Sequence, residues 1–146
     1  MNDMTKRTVR KNKKPLAVVA SLAVGVLILG ACSTQIRAER KGKQYGQAIC
    51  DVKNSSNGDE AQRNANQAQR KANDLARIIG RPINEDAGDI NQNMTDLIEH
   101  VRQGNTVLAQ QDISAIQRNF QAVGRTLTGK ARAAYDGIQE GLADCE

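Results

Sequence analysis

The pattern Gly-x-x-x-Gly-x-x-x-Cys is written twice in this chain, as Gly42, Gly46 and Cys50 in GKQYGQAIC and as Gly137, Gly141 and Cys145 in GIQEGLADC. Glycine costs about 1 kcal/mol per residue inside a helix relative to alanine. Placing two pairs of glycines in otherwise helix-forming stretches therefore constrains the fold. Positions i, i+4 and i+8 lie along one inclined ridge of a helix, so each copy presents glycine, glycine and cysteine in a row. Two such rows facing each other would bring the backbones closer than ordinary side chains permit. In an apolar span the same spacing would suggest membrane-helix dimerisation, but both copies lie in amphipathic stretches. Chance recurrence of a short pattern is the competing reading.

The rest of the chain is patterned for helices. A stretch running to about Lys53 carries Tyr45, Ala48, Ile49 and Val52 on one face. Asn54 to Gly58 reads as a turn, and Asn57 followed by Glu60 reads as an N-cap with a reciprocating acid. The next seam is Ala61, Ala65, Ala68, Ala72, Leu75 and Ile79, whose alternating steps of four and three are a heptad pattern. Gly80 and Pro82 stop it. A third helix is expected from near Asn84, with Glu85, Asp86 and Asp89 at the positive end of its dipole and His100 and Arg102 at the negative end. Ile90, Met94, Leu97 and Val101 form its seam, and Gly104-Asn105 closes it. From Asp112 onward Ile113, Ile116, Phe120, Val123 and Leu127 form another seam, and Ala131, Ala134, Ile138 and Leu142 the last. Nothing alternates with a period of two, so strands are not expected. The expected fold is all-α: a small antiparallel up-and-down bundle of four to five helices over residues 44–146. Alanine-rich seams bury little area per residue, so its core is thin.

The net charge of +5 raises nucleic acid as a partner, and its location removes that reading. Residues 1–31 carry six Lys/Arg against Asp3, whereas from Cys32 onward 15 Lys/Arg face 15 Asp/Glu. The basic stretch ends at Pro15 and is followed by an apolar run from Leu16 to Ala31. That run is short for a membrane span and suits the apolar region of a signal peptide. An uncleaved anchor helix is the alternative.

Leu29-Gly30-Ala31-Cys32 resembles the lipobox of bacterial lipoproteins. The resemblance implies cleavage between Ala31 and Cys32, diacylglycerol on the Cys32 sulfur, and often a further acyl chain such as palmitate on the new amino terminus. It implies a mature chain held extracytoplasmically in the bacterial cell envelope, on the periplasmic or outer face of a membrane. Two or three acyl chains anchor stably where one would be marginal. Residues 32–43 then read as the lipidated cysteine and a tether or the start of a helix. Arg37, Arg40, Lys41 and Lys43 in that segment can contact anionic lipid or form a solvated helix face.

Lipidation of Cys32 leaves Cys50 and Cys145, which in an oxidising compartment are expected to form a disulfide. A loop near 100 residues gives about 4–5 kcal/mol in chain-entropy terms. A metal or redox site is the alternative, without any CxxC to support it. The disulfide also sets topology. Were residues 111–144 one helix, an up-and-down path would carry Cys145 about 50 Å away along the bundle. A disulfide holds its Cα atoms within about 4.4–6.8 Å, so a break is expected between Gly124 and Lys130. Both cysteines follow their glycines, which favours roughly parallel first and last helices, with Gly42, Gly46, Gly137 and Gly141 packed closely.

Catalytic chemistry is sparse. His100 is the only histidine, and beside Glu99 it reads as a solvated helix-end residue. No HExxH, GxSxG or glycine-rich phosphate loop is present. Ser114 followed by Gln117 looks like a capping serine. Glu85, Asp86 and Asp89 do not have the spacing of a calcium loop, and no cofactor or metal is expected. The amides Gln62, Asn64, Asn66, Gln67, Gln69 and Asn73 offer a neutral face, and any binding hot spot would draw on Tyr45, Tyr135 or the arginines. The expectation is a non-enzymatic, lipid-anchored envelope module, in contact with lipid through Cys32 and with an unidentified envelope protein or ligand. A specialised version is an exclusion or inhibitor lipoprotein encoded by a mobile element. A carrier of a small apolar ligand between helices is the alternative class.

Overall fold

The computed structural model describes residues 18–83 and 89–145, with side chains from Cys32 onward. It contains α1 (Val18–Lys53), α2 (Gly58–Ile79), α3 (Ile90–Arg102), α4 (Thr106–Gly124) and α5 (Gly129–Ala143), with no strand among the described residues. The expected start of α3 near Asn84, with Glu85 and Asp86, lies outside the described residues, as do the basic stretch before the apolar run and the lipobox side chains ahead of Cys32. Short connections between successive helices make neighbours antiparallel. α1 packs on both α2 and α5, and α3 and α4 close the bundle.

Local capping explains most boundaries. The Asn57 side chain accepts a hydrogen bond from the Glu60 backbone at 2.9 Å. Glu60 reaches back one residue further than a simple capping box would take it, accepting from the Ser56 N–H at 2.8 Å and from the Ser56 hydroxyl. The hydroxyl first, and then the backbone N–H, hold the Glu60 carboxyl below its ordinary range. Gly80 ends α2 in the left-handed region at φ 79°, which costs glycine no Cβ clash.

The start of α4 differs from the sequence expectation. Asn105, read as closing α3, also begins α4, its side chain accepting from the Leu108 N–H at 3.1 Å. Ser114 is therefore in the helix interior, its hydroxyl donating to the Gln110 carbonyl one turn back at 3.0 Å. A short hydroxyl binds the backbone equally well in either setting, so the Ser-x-x-Gln spacing alone did not mark a helix start. The break between α4 and α5 falls at residues 125–128, where it was expected, and Gly129 opens α5 at φ 58°.

The core is thin but closed by aromatic edges. Tyr45 meets Phe120 edge-on at 5.8 Å between ring centroids, and Phe120 meets Tyr135 at 5.7 Å. The buried Tyr135 hydroxyl donates to the Ile83 carbonyl at 2.6 Å, fastening α5 to the α2–α3 connection. Burial pushes the phenol's pKa above its ordinary value.

The closest packing joins α1 to α5. A Cβ on Gly42 would overlap the Ala134 carbonyl oxygen, and one on Gly46 the Ile138 carbonyl oxygen. Reciprocally, Gly137 is pressed against the Glu39 carbonyl and Gly141 against that of Lys43. Numbers rise together on the two helices, so they run parallel, and the register ends at Cys50–Cys145 with Cα atoms 5.2 Å apart. α1 is unbroken through residues 32–43, and Ala38 and Gly42 are buried. The packed region thus begins ahead of residue 44, and the start-of-a-helix reading of residues 33–43 is the one observed.

Alanine in place of Gly42 or Gly141 gains about 1 kcal/mol of helix propensity and collides with backbone that has no rotamer to relax. Each substitution is expected to lower unfolding free energy by about 1–3 kcal/mol in urea denaturation. A gain in stability would mean that the two helices are not in backbone contact.

Candidate functional site

Because α1 is one helix, its cysteines define the two ends of the bundle. Cys32 is exposed, and Cys50 lies 18 residues later, about 27 Å along the axis. The end at Cys50 holds the disulfide, the 54–57 turn and the 103–105 turn. There the Lys53 ammonium donates to the Cys145 carbonyl at 2.6 Å. An open cleft of about 400 Å³ lies between these turns, lined by Lys53, Asn54, Ser56, Gly104, Asn105 and Thr106 among others.

His100 is not the solvated residue expected from its place near the end of α3. Its Nδ1 lies 2.6 Å from Asp112 Oδ2, and the two side chains are only 23% and 14% exposed. Starting α4 at Thr106 brings Asp112 onto the turn of α4 that faces the last turn of α3. The sequence held the signal in the tight 103–105 connection, but a helix begun at Asp112 hides it. The pair bridges two helices, and what it does at this site is join them. Among the described residues no group of His, Cys, Asp and Glu is placed to hold a metal ion.

The amide-rich face divides into two kinds of residue. Asn64 turns inward and donates to the Asp51 carbonyl at 3.0 Å and to the Ser55 hydroxyl at 2.9 Å, tying α2 to the end of α1. Gln62, Asn66 and Gln69 line a shallow cleft of about 270 Å³ between α2 and α3, floored by Ala65, Met94 and Ile98. Gln67 and Asn73 are exposed, and Asn73 accepts from Gln69 at 3.3 Å. Tyr45 and Tyr135 are 2% and 1% exposed, which corrects their reading as surface hot spots: with so few large apolar residues, the core needs both rings.

The basic residues early in α1 also separate. Lys43 is an α1–α5 strut, its ammonium 2.5 Å from Glu140 Oε1, a hydrogen bond that holds its pKa above the ordinary lysine value. Arg37 and Arg40 are exposed and Lys41 half-buried. Asp89 occupies the N-cap position of α3 without a side-chain capping bond.

Compared with family models, with curated proteins and with solved structures, the chain matches none.

Replacing His100 with alanine leaves the Asp112 carboxylate mostly buried without its partner. Unfolding free energy is expected to fall by about 1–2 kcal/mol in chemical denaturation. A change within about 0.5 kcal/mol, the usual range for a solvated position, would restore the helix-end reading.

Proposed function

We propose that this chain is a lipid-anchored protein of the bacterial cell envelope whose bundle acts as a non-enzymatic interaction module at a membrane surface. One observation supports this reading above others: the three cysteines divide into a buried disulfide, Cys50–Cys145, and an exposed Cys32 at the end of the Leu29-Gly30-Ala31-Cys32 sequence. A buried structural disulfide suits an oxidising compartment. Cys32 is five residues ahead of the next arginine, Arg37, and six ahead of the first buried side chain, Ala38. It is thus accessible for modification while close to the packed body.

No helix among the described residues is long and apolar enough to cross a membrane. Diacylglycerol on Cys32 together with an amino-terminal acyl chain supplies the two or more chains that stable anchoring requires. The module's binding surface is then the end of the bundle farthest from Cys32 and the amide-lined α2–α3 cleft, the parts of the molecule that acyl chains leave open.

Intact mass spectrometry of protein extracted from bacterial membranes tests the reading. The expected species begins at Cys32, carries diacylglycerol, and is two hydrogens lighter for the Cys50–Cys145 bond. Cys32→Ser should accumulate as uncleaved precursor without lipid. A wild-type chain that retains residues 1–31, or that begins at Cys32 with a free thiol, would refute it.

A further inference from the structure

Topology gathers charges that are far apart in sequence. At the Cys32 end, Arg37 and Arg40 come from α1, Arg77 from the last turn of α2, Arg81 from the connection after it, Arg125 from the α4–α5 turn and Lys130 from the start of α5. The Tyr135–Ile83 bond holds the α5 side of this group to the α2 side. The nearby acids include Asp74, 3.7 Å from Arg77, and Asp136, 2.8 Å from Arg132. Glu39 and Asp89 are the other described acids at this level, and Glu85 and Asp86 lie outside the described residues. The opposite end has the reverse balance: Asp51, Asp59, Glu60, Glu99, Asp112 and Asp144 against Lys53, Arg63 and Arg102. Among the described residues, cations are therefore in excess at the Cys32 end, the basic end, and acids in excess at the other, the acidic end.

Two further features occupy the basic end. Ser33, Thr34, Arg37, Arg77 and Ile78 line an open notch of about 500 Å³ where α1 leaves the bundle. Ile36, beside it on α1, is 57% exposed, one of two large apolar side chains that the described structure leaves in solvent. Guanidinium groups, hydroxyls and an apolar rim in one notch match a phosphate-bearing headgroup above an acyl chain.

We propose that this basic end seats on anionic phospholipid, with the notch taking a headgroup and Ile36 entering the interface, so that the bundle stands with its acidic end outward. The inference rests on the Cys32 anchor. Arg37 is about 7.5 Å along the helix from Cys32, within the roughly 8 Å screening length of physiological salt. Lipid on Cys32 thus holds the cations where an anionic surface potential acts on them. The acidic end, about 27 Å away, lies beyond that potential, and repulsion from the bilayer also disfavours the inverted orientation.

The test uses the lipidated mature protein beginning at Cys32, whose native cysteines are all consumed, with a fluorophore on Thr126→Cys at the basic end or on Gln103→Cys in the α3–α4 turn. Each is reconstituted into phosphatidylcholine vesicles with or without phosphatidylglycerol, and quenching by a headgroup-attached nitroxide is recorded. The Thr126 label should be quenched about twofold or more strongly on the anionic vesicles, and the Gln103 label weakly on both. An approximately tenfold rise in salt should abolish the difference. So should replacing Arg37, Arg77, Arg125 and Lys130 together with glutamine, with the circular dichroism spectrum unchanged. Equal quenching of the Thr126 label on both vesicle types, or an anionic effect that survives both salt and the four substitutions, overturns the proposal. Mass spectrometry on the same sample separates the two readings: an unlipidated chain removes both, whereas a lipidated chain indifferent to phosphatidylglycerol removes only this one.

Discussion

Gly42 has no room for a side chain because the Ala134 carbonyl occupies the space, and Gly137 meets the Glu39 carbonyl in the same way. This reciprocal backbone contact between α1 and α5 is the constraint on which the bundle depends. Close approach lets two helices gain dispersion contacts along their backbones, offsetting the lower helix propensity of four glycines. It also brings the Cys50 and Cys145 Cα atoms to 5.2 Å, where a disulfide needs no distortion of the helices. In a core where seven of the 23 buried apolar residues are alanine, that staple is worth about 4–5 kcal/mol in chain-entropy terms. It compensates for small buried areas elsewhere.

Parallel packing of the first and last helices has a topological consequence. Successive helices with short connections alternate in direction, so α1 and α5 can be parallel only if an odd number of helices lies between them. The turn at 125–128 supplies the needed reversal, and this is why it could be anticipated from the cysteines when hydrophobic periodicity ran through it unbroken. The register of the glycine rows, the disulfide and the α4–α5 break were all legible because covalent geometry links them. The seams of α2 and α3 were legible because their apolar residues recur at helical spacing.

What was not legible depends on contacts between elements. Ser114 has the same local spacing at a helix start and in a helix interior, whereas the Asn105 cap and the buried Ala109 extend α4 back to Thr106. That extension converts His100 from a helix-end residue into a partner of Asp112. Tyr45 and Tyr135 were the only tyrosines available for a binding surface, yet both are needed around Phe120. The uneven division of charge between the two ends is invisible along the chain, because only the fold brings Arg37, Arg77 and Arg125 to the same end of the bundle. Cys32 differs in kind: its proposed role rests on the residues before it and on its exposure, while the bundle sets its distance from everything else.

If α1 is the rod joining an anchored end to an outward end, its pairing with α5 must hold in solution along the whole register. Nuclear Overhauser contacts in the oxidised protein test this most directly. Cross-peaks are expected from the Gly42 Hα protons to Ala134 and Ile138, and from Gly46 to Gly141, which pack against each other across the α1–α5 contact. Their absence, or contacts pairing Gly42 with the end of α5 near Leu142, would contradict the parallel backbone packing on which the rest is built.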